Sequence, residues 1–351
     1  MLFRTRKRII CGLAVLTVLA VSAAGLSCAK AEPVKDGPHP EVSLSAWSAY
    51  WDAEAGRADY RKIRRNLDSI SAFAAYYGPD DDLVVPDETK QAIKWAKKDG
   101  KEAYLTVVND RQDAKGKSQE KDTALVGRLL KDEAATDAQV KRILQKAKEA
   151  GADGVELDYE RIFKDDKLKM PFLDFTYKLS SACIRENLKL RIVLEPSAPF
   201  DAPFAKGPEY VVMLYNLYGL HSGPGPKADG AFIKKTIQRM EKLPGKKGVA
   251  IAAGGRLWQD YKLLGLSRGP TKFISEQEAA ALAQKHKAEV KRDEMSGALT
   301  FAYDEGKHHY EVWYADAETL NAWITEIANL GLTDVSIWRL GGNGELGRVH
   351  P

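Results

Sequence analysis

Short apolar runs alternate with amphipathic stretches along most of the chain. The runs have the length and the β-branched and aromatic content of buried strands. They are Val42–Tyr50, Ile70–Tyr77, Ala103–Val108, Gly154–Tyr159, Leu190–Glu195, Tyr210–Tyr215, Val249–Ala253 and Asp334–Trp338. Eight strands that alternate with helices over about 310 residues predict an α/β fold, a parallel sheet closed into a (β/α)8 TIM barrel.

The stretches between these runs have apolar residues at helical spacing. In Thr136–Ala150 they form one face, Thr136 is placed to cap the first turn, and Gly151 ends the helix. Phe172–Glu186 and Ala317–Leu330 show the same pattern. We therefore expect helices to cover the outside of the barrel.

One segment interrupts the alternation between the seventh strand and the last helix. Residues Gly254–Trp313 are too many for an ordinary strand-to-helix loop. They contain a helical stretch, Glu276–Val290, and two strand-like runs, Ala298–Tyr303 and His309–Tyr314, which a turn at Asp304–Lys307 joins. This pattern predicts a small α+β insertion that forms one wall of a groove.

Three acidic residues alternate with apolar ones around the fourth strand. On a strand, Glu156, Asp158 and Glu160 share one face. A solvated acidic face suits an antiparallel sheet, but both faces of a parallel barrel strand are covered. The three carboxylates are therefore predicted to line the interior near the C-terminal mouth, where at least one holds a proton near neutral pH. Such a pair suits acid catalysis at a glycosidic oxygen.

The N-terminal region has the composition of an export signal. Four basic residues precede an apolar stretch from Ile9 to about Leu26. Leu26-Ser27-Cys28 resembles a bacterial lipobox and makes Cys28 the predicted lipidation site, with ordinary cleavage before Glu32 as the alternative. Either route predicts an exported protein of the cell envelope. The expected parts are a signal over residues 1–27, a tether over 28–40 and a catalytic barrel over 41–351, with its insertion at about 254–313.

Charge and cysteine content exclude several classes of partner. The formal net charge is +4, and the signal contains four basic residues and no acidic one, so the mature chain is neutral. A neutral chain argues against a nucleic-acid partner. Cys11 lies in the signal and Cys28 is predicted to be lipidated or removed, which leaves Cys183. No disulfide, metal site or cofactor is therefore predicted for the mature domain.

The acidic strand also resembles a family signature. Asp153–Glu160 is similar to the D-G-x-D-x-D-x-E motif of glycoside hydrolase family 18, with Glu156 in place of one aspartate. Val211–Asn216 is similar to the family's Met-x-Tyr-Asp segment, with Asn216 where an acid is common. Trp338 stands at the family's barrel-floor position.

Further segments resemble one bacterial branch of that family, which includes spore-cortex and cell-wall N-acetylglucosaminidases. They are Ser222–Pro226, Val312–Ala317, Gly331-Leu332 and Trp338–Gly342. The resemblance extends in the correct order over roughly residues 70 to 345.

The resemblance implies a substrate-assisted retaining mechanism. Glu160 would protonate the leaving oxygen, and Asp158 would orient the substrate's acetamido group, whose carbonyl attacks the anomeric carbon. Tyr215 and Asn216 would hydrogen-bond the acetamido group, and Trp338 would form an apolar floor under the sugar. Each role has a structural alternative; for example, Trp338 could be an ordinary core residue, and Tyr215 could simply cap the barrel.

Three more residues are predicted to support substrate binding. The charges of Glu156 and Asp153 would help to keep Glu160 protonated. Met213 belongs to the same candidate set, although a core role is the alternative. Asp153 has its own alternative, in which it braces a loop or pairs with a neighbouring base.

The expected function is hydrolysis of β-1,4 bonds at N-acetylglucosamine in cell-wall peptidoglycan or related glycans. The expected partner is a glycan that contains N-acetylglucosamine, and contact with the membrane would come only through a lipid anchor. Two alternatives stay open: a chitinase or endo-N-acetylglucosaminidase acting on other glycans, and a catalytically silent carbohydrate-binding lipoprotein. Retention of both Asp158 and Glu160 argues against the silent protein.

Overall fold

A computed structural model describes residues 41–260 and 269–351 of the chain. The predicted signal, the tether and the lipidation site Cys28 lie outside the described residues. Within the described ranges, no helix combines the length and the apolar character that crossing a bilayer requires.

Strands and helices alternate in the order that the apolar pattern predicts. In the described part of the chain the strands are β1 (Ser43–Ala49), β2 (Ser69–Tyr77), β3 (Leu83–Val84), β4 (Glu102–Gln112), β5 (Ser118–Gln119), β6 (Gly154–Asp158), β7 (Lys189–Leu194), β8 (Glu209–Met213), β9 (Lys246–Ala252), β10 (Gly254–Gln259), β11 (Thr271–Ile274), β12 (Lys291–Arg292), β13 (Leu299–Glu305), β14 (His308–Ala315) and β15 (Asp334–Leu340). The helices are α1 (Ala53–Ile63), α2 (Asp87–Lys98), α3 (Thr123–Leu129), α4 (Glu133–Ala150), α5 (Asp166–Arg185), α6 (Gly230–Met240), α7 (Glu276–His286) and α8 (Ala317–Asn329).

Eight parallel strands close into a barrel. Their order is β1, β2, β4, β6, β7, β8, β9 and β15, and β15 pairs with β1 to complete the ring. Outward-facing residues such as Ile70, Leu157 and Ile192 pack in the large core under the helices, whereas Trp47, Phe73 and neighbours fill the interior. Both faces are therefore covered, and the predicted (β/α)8 barrel is confirmed.

Helix ends differ from the prediction where a capping residue lies outside the apolar pattern. The helix α4 begins at Glu133 because the Asp132 side chain accepts a hydrogen bond from the Ala135 N–H. Thr136, the predicted cap, instead donates its hydroxyl to the Asp132 carbonyl at 2.9 Å. Gly151 ends the helix as predicted, with a φ of 75° that favours glycine.

One connection between barrel strands has no helix in the structure. Residues 195–208, between β7 and β8, contain Pro196, Pro199, Pro203 and Pro208 and form turns and irregular backbone. Each proline lacks an N–H donor and disfavours a helical conformation in the residue before it. The fifth unit of the barrel therefore lacks its helix.

The insertion is a five-stranded antiparallel sheet with one helix packed against it. The sheet order is β11, β10, β14, β13 and β12. The helix α7 contributes Ala279 and Ala283 to a separate core that includes Leu257, Phe301 and Val312. The predicted helix and strand pair are present, but α7 ends at His286, because Lys287 adopts a left-handed φ of 50°. The strands β10 and β11 have six and four residues and were not predicted.

Candidate active site

A cleft of about 330 Å³ opens at the C-terminal ends of the barrel strands. Six of the predicted site residues line it: Asp158, Glu160, Met213, Tyr215, Asn216 and Trp338. The insertion contributes Arg256 from β10 and Phe273 from β11 to the lining. The parallel strands explain this convergence, since their carboxyl ends meet at one mouth.

Asp158 ends β6 and is buried at the base of the cleft. Its Oδ1 atom has no hydrogen-bond partner in the part of the chain that the structure describes. Burial, followed by the negative charges of Glu160 and Glu156, raises the pKa of Asp158 well above its usual range. Because an unsatisfied buried oxygen is costly, this atom suits a donor that arrives with a ligand.

Glu160 is held by main-chain and side-chain contacts just beyond β6. Its N–H donates to Asn109 Oδ1 at 3.0 Å, and its carbonyl accepts from Asn109 Nδ2 at 3.1 Å. Its carboxylate forms an ion pair with the Lys121 ammonium. Burial raises the pKa of Glu160, while the positive charge of Lys121 opposes that rise. The carboxyl can therefore be either protonated or ionised, as an acid–base group requires.

Glu156 lies inside the barrel below Asp158 and is completely buried, with 0% exposure. Ser71 and Thr106 donate to its two oxygens at 2.8 Å, Trp47 Nε1 donates as well, and Arg191 Nη1 lies 3.2 Å away. These protein groups surround both oxygens and leave them no open position for a ligand. Its predicted role in substrate binding is therefore corrected to a structural ion pair under the site.

Asp153 lies at the opposite end of β6, outside the cleft. Its carboxylate pairs with Lys97 and accepts a hydrogen bond from the Ala103 N–H at 3.0 Å. A strand rises about 3.3 Å per residue, which places Asp153 about 16 Å from Asp158. The structure corrects its predicted role in substrate binding and favours the alternative, pairing with a neighbouring base.

The end of β8 places Tyr215 and Asn216 at the cleft. Burial and the carboxylates of Asp158 and Glu160 raise the pKa of Tyr215 well above its usual range, so its hydroxyl stays a donor. Asn216 has a left-handed φ of 66°, which turns the chain at the cleft. Met213 lines the cleft and also packs in the inner core cluster, so both of its predicted roles agree with its position.

Trp338 is partly exposed in the cleft and is fixed by other aromatic rings. Its ring lies edge-to-face with Phe73, with centroids 4.7 Å apart, and with Trp47 at 5.9 Å. Trp51 at the rim is 53% exposed and packs edge-to-face on Phe73 at 5.5 Å. Two exposed aromatic surfaces in one polar cleft suit the apolar faces of sugar rings.

Sequence reasoning missed several residues of the site, among them Trp51, Asn109, Lys121, Lys227 and Arg256. Asn109 alone carried a signal, because it is a polar residue directly after the apolar run of a barrel strand. The other four lie in connections and in the insertion, where only the folded chain shows what they face.

The described residues contain no group of three or more His, Cys, Asp or Glu side chains that could hold a metal ion.

Fold and site together define a (β/α)8-barrel protein with one buried and one partly buried carboxylate, Asp158 and Glu160, at its mouth. No protein-family model matches the chain. Among curated proteins, it is 24% identical over 278 residues to the uncharacterized glycosylase YvbX of Bacillus subtilis, covering 75% of this chain and 77% of that protein. It is 25% identical over 230 residues to the cortical fragment-lytic enzyme of Bacillus subtilis, covering 61% of this chain and 52% of that protein. The chain thus spans about half the length of this second relative.

Two solved structures resemble the chain over most of its length. The spore cortex-lytic enzyme SleL of Bacillus cereus matches with a TM-score of 0.75 and 21% identity, covering 89% of this chain and 74% of that one. A chitinase from Chromobacterium violaceum matches with a TM-score of 0.72 and 18% identity, covering 88% of this chain and 96% of that one. At these identities the likeness concerns the fold.

Proposed function

We propose that this chain is a retaining, substrate-assisted glycoside hydrolase that cleaves β-1,4 bonds at N-acetylglucosamine in cell-wall peptidoglycan or a related glycan. The observation that carries the proposal is the pairing of Asp158 and Glu160 in one cleft. Both carboxyls have a pKa that burial raises, and Asp158 Oδ1 lacks a partner within residues 41–260 and 269–351. One carboxyl is then available as an acid and the other as an acceptor.

The chain is an enzyme of the glycoside hydrolase class. Its curated relatives are named a glycosylase and a cortical fragment-lytic enzyme, and its fold is that of a cortex-lytic enzyme and a chitinase. The resemblance to glycoside hydrolase family 18 supports the finer assignment, because the matching residues Asp158, Glu160, Tyr215 and Trp338 line one cleft. The names of these proteins favour glycans that contain N-acetylglucosamine.

In the proposed first step, Glu160 donates its proton to the glycosidic oxygen as that bond breaks. The carbonyl oxygen of the substrate's 2-acetamido group attacks the anomeric carbon and forms an oxazolinium ion. Water then attacks the same carbon and gives its proton to the Glu160 carboxylate, which restores the acid and retains the anomeric configuration. Glu160 must leave its ion pair with Lys121 in the protonated form before the first step.

Asp158 accepts the acetamido N–H in this scheme in its ionised form, which the positive charge developing on the oxazolinium ion stabilises against the effect of burial. Its unpartnered Oδ1 supports this role, since the substrate N–H satisfies the buried oxygen. Tyr215 donates its hydroxyl to the acetamido oxygen, and Asn216 provides a neutral polar contact beside it. Trp338 lies under the sugar ring as an apolar floor.

We also propose export to the cell envelope, with the signal over residues 1–27 and lipid at Cys28. The composition of the N-terminal region supports this proposal. The substitution Cys28→Ala should move the protein from the membrane fraction to the soluble fraction. A mature N-terminus at Glu32 without lipid would contradict lipidation.

A digestion panel tests the proposed function. The protein is incubated with peptidoglycan, chitin oligomers and N-glycans, and the products are identified by mass, with Glu160→Gln as the inactive control. We expect new reducing ends at N-acetylglucosamine from peptidoglycan, and none from the control. Release from chitin or N-glycans alone would support the alternative glycan classes. Binding without any new reducing end would support the silent carbohydrate-binding protein.

A further inference from the structure

Two positively charged side chains line the same cleft as Asp158 and Glu160. Lys227 lies in the connection between β8 and α6 and is only 8% exposed. Its Nζ donates to Asn216 Oδ1 at 3.1 Å. Arg256 on β10 donates through Nη1 to Thr271 Oγ1 at 2.8 Å, and its buried Nε has no partner among the described residues. Both contacts are to neutral oxygens.

The loop that carries Lys227 is built to hold it in the cleft. The Lys227 carbonyl accepts a hydrogen bond from the Leu217 N–H at 3.0 Å, which closes the loop beside Asn216. A Cβ at Gly225 would lie 2.4 Å from the ring of Tyr218, so only glycine permits this close packing. The buried position of Lys227 is therefore a property of the loop.

The other cations of the cleft differ from these two in having acidic partners. Lys121 pairs with Glu160, and Arg339 Nη1 lies 2.6 Å from Asp52 Oδ2. Across the described ranges, neither Lys227 nor Arg256 has a carboxylate at salt-bridge distance. Buried cations are normally paired, because an isolated buried charge is costly. A buried lysine beside a partly buried arginine, neither with an acidic partner in the described chain, is therefore an arrangement that suits a bound anion.

The electrostatic state of Lys227 agrees with this interpretation. Burial, together with the charge of Arg256, lowers the pKa of Lys227 to about 7. A bound anion would compensate both effects. The Nε edge of Arg256 faces no acceptor in the described chain, and a guanidinium edge matches a carboxylate in geometry.

We propose that Lys227 and Arg256 form a subsite for a carboxylate carried by the glycan, next to the sugar whose bond is cleaved. This inference rests on the proposed hydrolase function and narrows its substrate class. The subsite adjoins the candidate centre through Asn216, which directly follows Tyr215 and accepts the Lys227 hydrogen bond. Chitin is neutral and offers no group for it.

Two kinds of sugar supply such a carboxylate, a uronic acid and an N-acetylmuramic acid with its 3-O-lactyl group. In peptidoglycan the lactyl carboxyl is free only when the amide bond to the stem peptide has been hydrolysed. That hydrolysis consumes water and releases the peptide amine and the free carboxylate. For a muramic substrate, an amidase reaction would therefore precede this enzyme.

The test compares three oligosaccharides of equal length. They are an alternating N-acetylglucosamine–N-acetylmuramic acid oligomer with free lactyl carboxylates, its methyl ester, and a chitin oligomer. We expect kcat/KM for the free acid to exceed that for the ester by about tenfold or more, since each hydrogen bond to a charged group contributes about that factor. A uronic-acid oligomer forms a fourth arm that distinguishes the two sources of the carboxylate.

The variants Lys227→Gln and Arg256→Gln should each lower the acid-to-ester ratio by about tenfold. Lys235→Gln, which removes an exposed charge on α6, is the matched control and should keep the wild-type ratio. Lys227→Met, with its melting temperature measured, replaces Lys227→Gln if that variant fails to fold. An unchanged ratio in folded Lys227 and Arg256 variants, or equal wild-type rates on acid and ester, would overturn the proposal.

Failure of the hydrolase function has a different signature. If wild-type protein cleaves none of the four oligomers, calorimetry of their binding still tests the anion subsite. Tighter binding of the free acid than of the ester, lost in Lys227→Gln, supports the subsite without the reaction. Equal binding of acid and ester contradicts the subsite.

Discussion

The two halves of β6 carry acidic residues of the same type in different environments. In the lower half, the Glu156 carboxylate has Trp47, Ser71, Thr106 and Arg191 as partners. At the upper end, Asp158 Oδ1 has no partner in the described chain. Because Glu156 and Asp158 belong to one strand, sequence alternation alone does not separate their roles. The number of protein partners that each carboxyl has separates them.

This difference separates acids that hold the barrel together from acids that are available to a substrate. A buried carboxylate with a full set of donors and a cation contributes to the native state and has nothing left to bind. A buried carboxyl with a raised pKa and an open oxygen can take part in substrate binding or proton transfer. The comparison predicts activity losses from the upper end of β6 and stability losses from the lower half.

The largest expected effect is on the rate. Glu160→Gln keeps the shape of the side chain but removes the proton that leaves with the glycosidic oxygen. We expect kcat to fall by about 10²–10⁴-fold, with an unchanged melting temperature. The surface variant Glu294→Gln is the matched control. Near-normal turnover by folded Glu160→Gln would remove Glu160 from the role of acid.

The next largest effect is on stability. Glu156→Gln leaves the Arg191 guanidinium buried with only the more distant Glu209 carboxylate, 3.8 Å from its Nε. Breaking a buried pair in this way costs about 3–5 kcal/mol, measured as the free energy of unfolding in denaturant. Asp158→Asn should cost much less, because it removes a carboxyl that burial already disfavours in its charged form. Equal losses of unfolding free energy in the two variants would contradict a structural role for Glu156 that Asp158 does not share.

A smaller effect concerns the pH profile. The charge of Lys121 opposes the rise in the pKa of Glu160, so Lys121→Met should raise that pKa further. The acid must be protonated to act, and activity is lost as the pH rises through its pKa. The alkaline limb of kcat/KM should therefore move to higher pH. Lys117→Met, an exposed residue of the same connection, is the control. A shift of the alkaline limb to lower pH in Lys121→Met would contradict the conclusion that Lys121 lowers the pKa of Glu160.

The smallest effect is expected at the foot of β6. Asp153→Asn removes a partly exposed pair with Lys97, and such pairs contribute about 0–1 kcal/mol. The rate should stay at the wild-type value, because Asp153 lies about 16 Å from Asp158. A tenfold fall in kcat would restore the predicted catalytic contribution of Asp153.

The barrel was predictable because its strands are apolar on both faces, and the alternation of Glu156, Asp158 and Glu160 showed which way they face. The depth of each acid was not predictable, since the partners of Glu156 come from β1, β2, β4 and β7. Lys121, Lys227 and Arg256 were missed for a related reason. They lie on connections and on the insertion, and only the tertiary fold brings them to the cleft.

In the proposed mechanism, the open oxygen of Asp158 serves a substrate whose own acetamido group is the nucleophile. The most direct test of this mechanism is inhibition by a stable thiazoline analogue of the oxazolinium ion. We expect competitive inhibition that is much tighter than substrate binding, because the analogue resembles a species close to the transition state. Asp158→Asn should weaken this inhibition and lower kcat while substrate binding is largely kept. Substrates without the 2-acetamido group should be inert. Turnover of such substrates, or no competition by the thiazoline in an active enzyme, would contradict the substrate-assisted mechanism.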